Sequence, residues 1–119
     1  MLLTVLKCKL HRAAVTECDL HYEGSISIDQ ELIEATGLIV NERVEIYNID
    51  NGNGFTTYVI EAGAGSGVIG LNGAAARLAC VGDKLIICAY AQMEEAEARD
   101  WQPTVIVVGD DNKMEKPRT

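Results

Sequence analysis

The chain has 119 residues, 48% of them hydrophobic but only 5% aromatic, and a formal net charge of -8 at pH 7. A single domain of that length holds one core, and here aliphatic side chains must build it. Nucleic-acid binding by counterion release needs clustered Lys and Arg, which 10 basic residues against 18 acidic ones do not supply, and no apolar run approaches the roughly 18 residues of a membrane span.

The N-terminal stretch MLLTVLKCKLHR is broken by Lys7 and Lys9 too early for a secretory signal core, so a cytoplasmic protein is expected. Residues 2 to 17 alternate as a strand, with Val5, Lys7, Lys9 and His11 on one face and Leu6, Cys8 and Leu10 on the other. The polar face reads either as solvated charge or as three basic groups gathered for an acid. In HYEGSISID, Gly24 and Ser25 precede an isoleucine alternation. A turn is the ordinary meaning of Gly-Ser, but a serine hydroxyl can also attack the carbonyl before it, and glycine leaves that carbonyl least shielded.

SISIDQELIEATG predicts a short helix with Ser27 as N-cap, Gln30 three residues on, Leu32 and Ile33 buried, and Gly37 as the stop. RVEIYNI and FTTYVIEA read as strands around the turn DNGNG. GSGVIG, residues 65–70, has the G-x-G-x-x-G spacing of a dinucleotide loop. It lacks a βαβ unit, and Asn72 and Gly73 occupy the would-be first helical turn, so a plain loop is expected. KLIICAYA and TVIVVG are apolar strands, Glu94 and Glu95 read as an exposed face, and residues 110–119 as a flexible charged tail. Many short strands with one or two small helices point to a compact, mainly β barrel, one domain over residues 1–119.

Cys8, Cys18, Cys80 and Cys88 form no C-x-x-C pair, and with His11 and His21 they match no familiar zinc spacing. Free structural thiols and no metal are the expectation.

KLHRAAVTECDLHYEGSISID, NGNGFTTY and VIGLNGAAARLACVGDKLIICAYAQM together closely resemble the pyruvoyl-dependent aspartate 1-decarboxylases, over about residues 4 to 109. HYEGS combined with NGAAA at this separation is specific, whereas either piece alone is weak. The resemblance implies a double-psi β-barrel with short helices, a homotetramer with sites between neighbouring subunits, and a self-cleaving zymogen. The Ser25 hydroxyl would attack the Gly24 carbonyl, with Thr57 bonding the tetrahedral intermediate. The products would be a β-chain 1–24 and an α-chain 25–119 whose new N-terminus is a pyruvoyl group made from Ser25, with neither metal nor pyridoxal phosphate.

That group would take L-aspartate as a Schiff base and release CO2 and β-alanine, a precursor for pantothenate biosynthesis. Tyr58 would be the proton donor, since phenols keep their proton at neutral pH. Lys9 would meet a substrate carboxylate, with Thr57, Asn72, Gly73, Ala74 and Ala75 around the substrate. An accessory maturation factor is compatible with the resemblance.

Two features resist this picture. A regular strand sends Thr57 and Tyr58 to opposite faces. The family also usually carries arginine before F-x-T-Y to grip the α-carboxylate, and here Gly54 stands in its place. Lys9, Arg12 and Arg77 are candidate substitutes. The departure leaves open a second reading, an uncleaved or weakly active barrel that serves as a binding or assembly module.

Overall fold

A computed structural model of the protein describes residues 1–115; residues 116–119, the end of the expected tail, lie outside the described residues. The strands are β1 (Leu2–Ala14), β2 (Glu17–Asp19), β3 (Ser25–Asp29), β4 (Arg43–Asn48), β5 (Gly54–Ala62), β6 (Ile69–Asn72), β7 (Lys84–Glu94) and β8 (Thr104–Val107). With them go two short helices, α1 (Gln30–Thr36) and α2 (Glu95–Asp100), and a 3-10 helix at Gly73–Leu78. The strands form one sheet in the order β2-β6-β3-β5-β4-β7-β1-β8, in which β1–β8, β2–β6 and β3–β5 are parallel pairs. The fold is mainly β and compatible with a double-psi β-barrel. Among the described residues no helix is long and apolar enough to cross a membrane.

Period-two alternation puts the large apolar side chains of the central strands on one side. Ile26 and Ile28 of β3, Val44 and Ile46 of β4, Leu71 of β6 and Ile87 of β7 join Leu10 and Leu32 in one core cluster. The same alternation displaces the expected helix start. SISID pairs with β5 on one side and β6 on the other, so Ser27 is a strand residue and not the N-cap. The cap is Asp29, whose carboxylate accepts the Glu31 N–H at 2.9 Å, and α1 ends where expected, at the left-handed Gly37.

β1 is less regular than its pattern. Register shifts fall between Leu6 and Cys8 and between His11 and Ala13, and Arg12 adopts a φ of 69° at the second. The first takes Lys7 to Glu42, with Nζ 2.9 Å from a carboxylate oxygen. Cys8 and Cys88 are buried free thiols, while the free thiols of Cys18 and Cys80 are exposed.

The strand order is drawn closed by polar links between its distant members. Beyond the end of β1, the Thr16 N–H donates to the Ile69 carbonyl at 2.8 Å, and the Ile69 N–H donates to Thr16 Oγ1 at 3.0 Å. Asn112, 1% exposed, accepts from the Ala14 N–H and donates to the carbonyls of Ala14 and Gly67. The expected flexible tail is therefore anchored as far as Glu115, whose N–H bonds the Val107 carbonyl. A charged composition did not reveal the single buried amide that pins it.

Asp29 does more than cap a helix. Its two oxygens accept N–H groups from Glu31, Gly65 and Gly67, each at 2.9 Å, which shapes the glycine loop before β6. Burial pushes the carboxyl pKa upward, but the Gly67, Glu31 and Gly65 N–H bonds outweigh it and hold it below the usual carboxylate value. A depressed folded-state pKa means stabilisation that is present above the unfolded value, near 4, and lost as pH falls through the folded one. Asp29→Asn should therefore cost about 1–3 kcal/mol at pH 7. The gap from the parent protein should shrink below about pH 4 in denaturation curves taken across that range. A gap independent of pH would show that shape, not charge, carries the effect.

Candidate active site

The antiparallel register of β3 and β6 sets Ser25 opposite Asn72, and the parallel register of β3 and β5 sets Ile26 beside Val59. Ser25 is 1% exposed, and its Oγ accepts a bond from Asn72 Nδ2 at 2.9 Å. The same nitrogen lies 3.1 Å from Ser27 Oγ. One residue on, Gly73 turns the chain with a φ of 67°. A Cβ there would stand 2.8 Å from both N and Cα of Gly24, so only glycine lets the two backbones approach this closely.

Past Gly73, the 3-10 helix carries Ala74, Ala75 and Leu78 to one wall of a cavity of about 400 Å³. Gly24, Phe55, Thr56, Thr57 and Tyr58 form the rest. Both Thr57 and Tyr58 line it, and the pairing of β5 explains how. β3 pairs with β5 only from Val59 onward, so the edge of β5 at residues 54–58 is free on that side. A cavity on a free edge is reached by side chains from both faces of the strand. Gly24, Thr57, Tyr58, Ala74 and Ala75 thus share one space; Ser25, bonded to Asn72, follows Gly24 in the chain, and Gly73 packs against Gly24.

A serine hydroxyl adjacent to an unshielded glycine carbonyl, steadied by a carboxamide and faced by a threonine and a tyrosine, suits acyl rearrangement followed by proton transfer. A family model described as aspartate decarboxylase matches residues 1–115. The chain belongs to the aspartate decarboxylase family. Relatives named aspartate 1-decarboxylase include one from Maricaulis maris (strain MCS10), 58% identical over 114 residues, 96% of this chain and 94% of the relative. Another, from Carboxydothermus hydrogenoformans, is 56% identical over 116 residues, 98% of this chain and 91% of its own. A third, from Burkholderia cenocepacia (strain HI2424), is 54% identical over 115 residues, covering 96% and 90%.

Within this aspartate decarboxylase fold, the basic residues of β1 are not gathered as a trio. Lys7 is paired with Glu42. Burial first, then the charges of Lys9 and Arg12, hold the His11 pKa below its usual value, so His11 is neutral at pH 7. Lys9 makes no ion pair among the described residues, but it stands in the cross-strand row Lys9–Cys88–Glu45–Thr56. That row puts three inter-strand steps, about 14 Å, between Lys9 and the cavity wall of its own chain.

Gly54 lies outside the left-handed region; the turn's positive φ belongs to Gly52. A Cβ at Gly54 would meet Tyr47 Cδ1 at 3.6 Å, an ordinary contact, so a side chain is sterically admissible. Of the candidate substitutes for the missing arginine, Arg12 sits at the second irregularity of β1. Arg77 follows Ala74 by one turn of the 3-10 helix and so shares its face. The sequence reading missed Arg43, which directly opposes Tyr58 and makes no ion pair among the described residues. Registering the two strands about DNGNG, with Tyr47 opposite Gly54, would have found it.

The closeness of Gly73 to Gly24 is testable against a second left-handed glycine. Gly82 has a φ of 95° but nothing within 4 Å of its would-be Cβ. Gly82→Ala should cost only backbone strain, about 1–2 kcal/mol. Gly73→Ala adds a clash with backbone and should cost at least about 2 kcal/mol more by chemical denaturation. Equal losses would mean that the Gly24 segment yields freely.

Proposed function

We propose that the protein is a self-cleaving enzyme that decarboxylates L-aspartate to β-alanine and CO2 by means of a pyruvoyl group made from Ser25. The observation that carries this reading is the cavity that Gly24 shares with Thr57 and Tyr58, next to a Ser25 whose hydroxyl is bonded by Asn72. Relatives at 54–58% identity that bear the name aspartate 1-decarboxylase support it.

In maturation, Ser25 Oγ bonds to the Gly24 carbonyl carbon, the peptide C–N bond breaks and the hydroxyl proton passes to the freed Ser25 nitrogen, so amide becomes ester. Asn72 donates to Oγ and leaves a lone pair on that oxygen for the attack. Thr57, which lines the same cavity as Gly24, would donate to the oxyanion. Elimination then separates a Gly24 carboxylate from residue 25, and hydrolysis with loss of ammonia leaves a ketone at the new N-terminus. Residues 1–24 become one chain and 25–119 the other.

The pyruvoyl group supplies an electron sink for the bond that loses CO2. The chain's own residues do the rest. Tyr58 carries a hydroxyl on the cavity wall and returns a proton to carbon. Ala74 and Ala75 keep their wall low and leave room for a small diacid. A second hollow, about 520 Å³, is lined by Glu17, Asp19 and Glu61 among others and would repel an anion.

Lys9 reaches a site only from another copy of the chain, which is the argument for sites shared between subunits of a homotetramer. The face of β4, β5 and β7 supports that assembly, for Tyr47, Tyr58 and Tyr90 leave 41%, 38% and 39% of their surface exposed there. A cytoplasmic role in supplying β-alanine for pantothenate completes the reading.

Intact mass spectrometry tests it. The parent protein should give two fragments that divide at Gly24, the larger lighter by one ammonia than the sequence requires, and Ser25→Ala should remain one chain. A full-length parent protein favours the binding-module alternative, and cleavage in purified Ser25→Ala would refute the mechanism.

Gly54 tests the substrate contact separately. A charge-assisted bond of about 1.5–3 kcal/mol corresponds to roughly ten- to a hundredfold in affinity. Gly54→Arg should lower the Michaelis constant for aspartate by about that factor relative to Gly54→Ala, with cleavage unchanged. Equal constants would mean that another cation already holds the carboxylate.

A further inference from the structure

We propose that Ser27 is a positioning residue for the Ser25 hydroxyl, acting through the carboxamide of Asn72; the proposal rests on the reading of Gly24–Ser25 as the cleavage point. Ser25 and Ser27 are two residues apart on β3 and so share a face, while Ile26 and Ile28 between and beyond them are fully buried on the other. Across the ladder, Asn72 opposes Ser25 and Gly70 opposes Ser27, so β6 presents one amide and no competing side chain to the two hydroxyls.

The amide nitrogen carries two hydrogens, and the geometry uses one for each serine, at 2.9 Å to Ser25 Oγ and 3.1 Å to Ser27 Oγ. An amide held by Ser25 alone can turn over. Its oxygen would then face the Ser25 hydroxyl and accept that proton, which turns the hydroxyl rotor and re-aims its lone pairs. Held by both serines, the nitrogen faces Ser25, whose oxygen is the acceptor and whose remaining lone pair is free for the Gly24 carbonyl. Ser27 thereby gives the amide a second anchor that holds it against Ser25.

Ser27 is also the partner that survives. When the ester eliminates, Ser25 Oγ departs with the Gly24 carboxylate and Asn72 loses that bond. The bond to Ser27 is untouched, so Asn72 keeps its place beside the newly made group.

The experiment follows cleavage of pulse-labelled chain by cell-free synthesis and chase, for the parent protein, Ser25→Ala, Ser27→Ala, Ser27→Val and Ser27→Thr, with the melting temperature of each product. Ser27→Ala and Ser27→Val should cleave about three- to tenfold more slowly, the size of one hydrogen bond. Ser27→Thr, nearly the shape of Val but with the hydroxyl kept, should return to the parent rate. Rescue by Thr and not Val at matched melting temperature is an outcome that a packing role would not produce. Parent-like rates in Ser27→Ala and Ser27→Val, or Ser27→Thr as slow as Ser27→Val, overturn the proposal while cleavage of the parent protein still stands. A parent protein that never cleaves overturns the cleavage reading itself, and this proposal with it.

Discussion

The pairing of Ser25 with Asn72 across β3 and β6 governs the geometry of the whole site. Side chains alternate with a period of two, so a slip of one residue would turn Asn72 away from Ser25 and carry Ile26 and Ile28 out of the core. Buried pairs, Ile26 with Leu71 and Ile28 with Ile69, hold the register from the apolar side. Asp29 holds it from the polar side, since its own N–H bonds the Val68 carbonyl while its carboxylate gathers the loop that feeds β6. From this register the rest follows in chain order. Asn72 meets Ser25, Gly73 closes on Gly24, and the 3-10 helix continues over the cavity.

The electrostatics of the site are local and run against the protein's overall charge. A chain of net charge -8 repels a dicarboxylate at long range, so capture depends on a few cations near the cavity. The fold removes two of the apparent ones from use, pairing Lys7 with Glu42 and keeping His11 neutral. Among the described residues, those without an ion pair include Lys9, on a distant strand, Arg43, across from Tyr58, and Arg77, on the face of Ala74. Substrate holding and the absence of an arginine at position 54 are therefore one problem, posed at the face where the tyrosines are exposed.

Most of the architecture was legible in the residues. The β4–β5 hairpin, the long apolar β7, the Gly37 stop and the glycine loop all stand where local patterns put them. The short strands β2 and β6 were not legible, because three or four residues carry no periodicity and acquire strand character only from their neighbours, β6 from β3 and β2 from β6. Ser27 failed as a cap for a related reason, since two available strand edges outweighed a local capping preference. In the site, the family motifs named Ser25, Thr57, Tyr58, Asn72 and Gly73. They could not show that Lys9 lies three strands from the cavity of its own chain, which only the strand order reveals.

The place of β1 has a consequence for the lifetime of a cut protein. This strand lies between β7 and β8, bonded to β7 along nearly its whole length, and both neighbours belong to the segment after residue 25. Severing the backbone after Gly24 would leave the two pieces locked together, since separating them means stripping a central strand out of the sheet. Once lost, however, that arrangement must be regained by two independent chains that find each other, with no covalent tether to fix their relative concentration. A cut protein would then endure by the slowness of its unfolding rather than by a reversible balance, and each molecule would have in practice a single passage into the folded state.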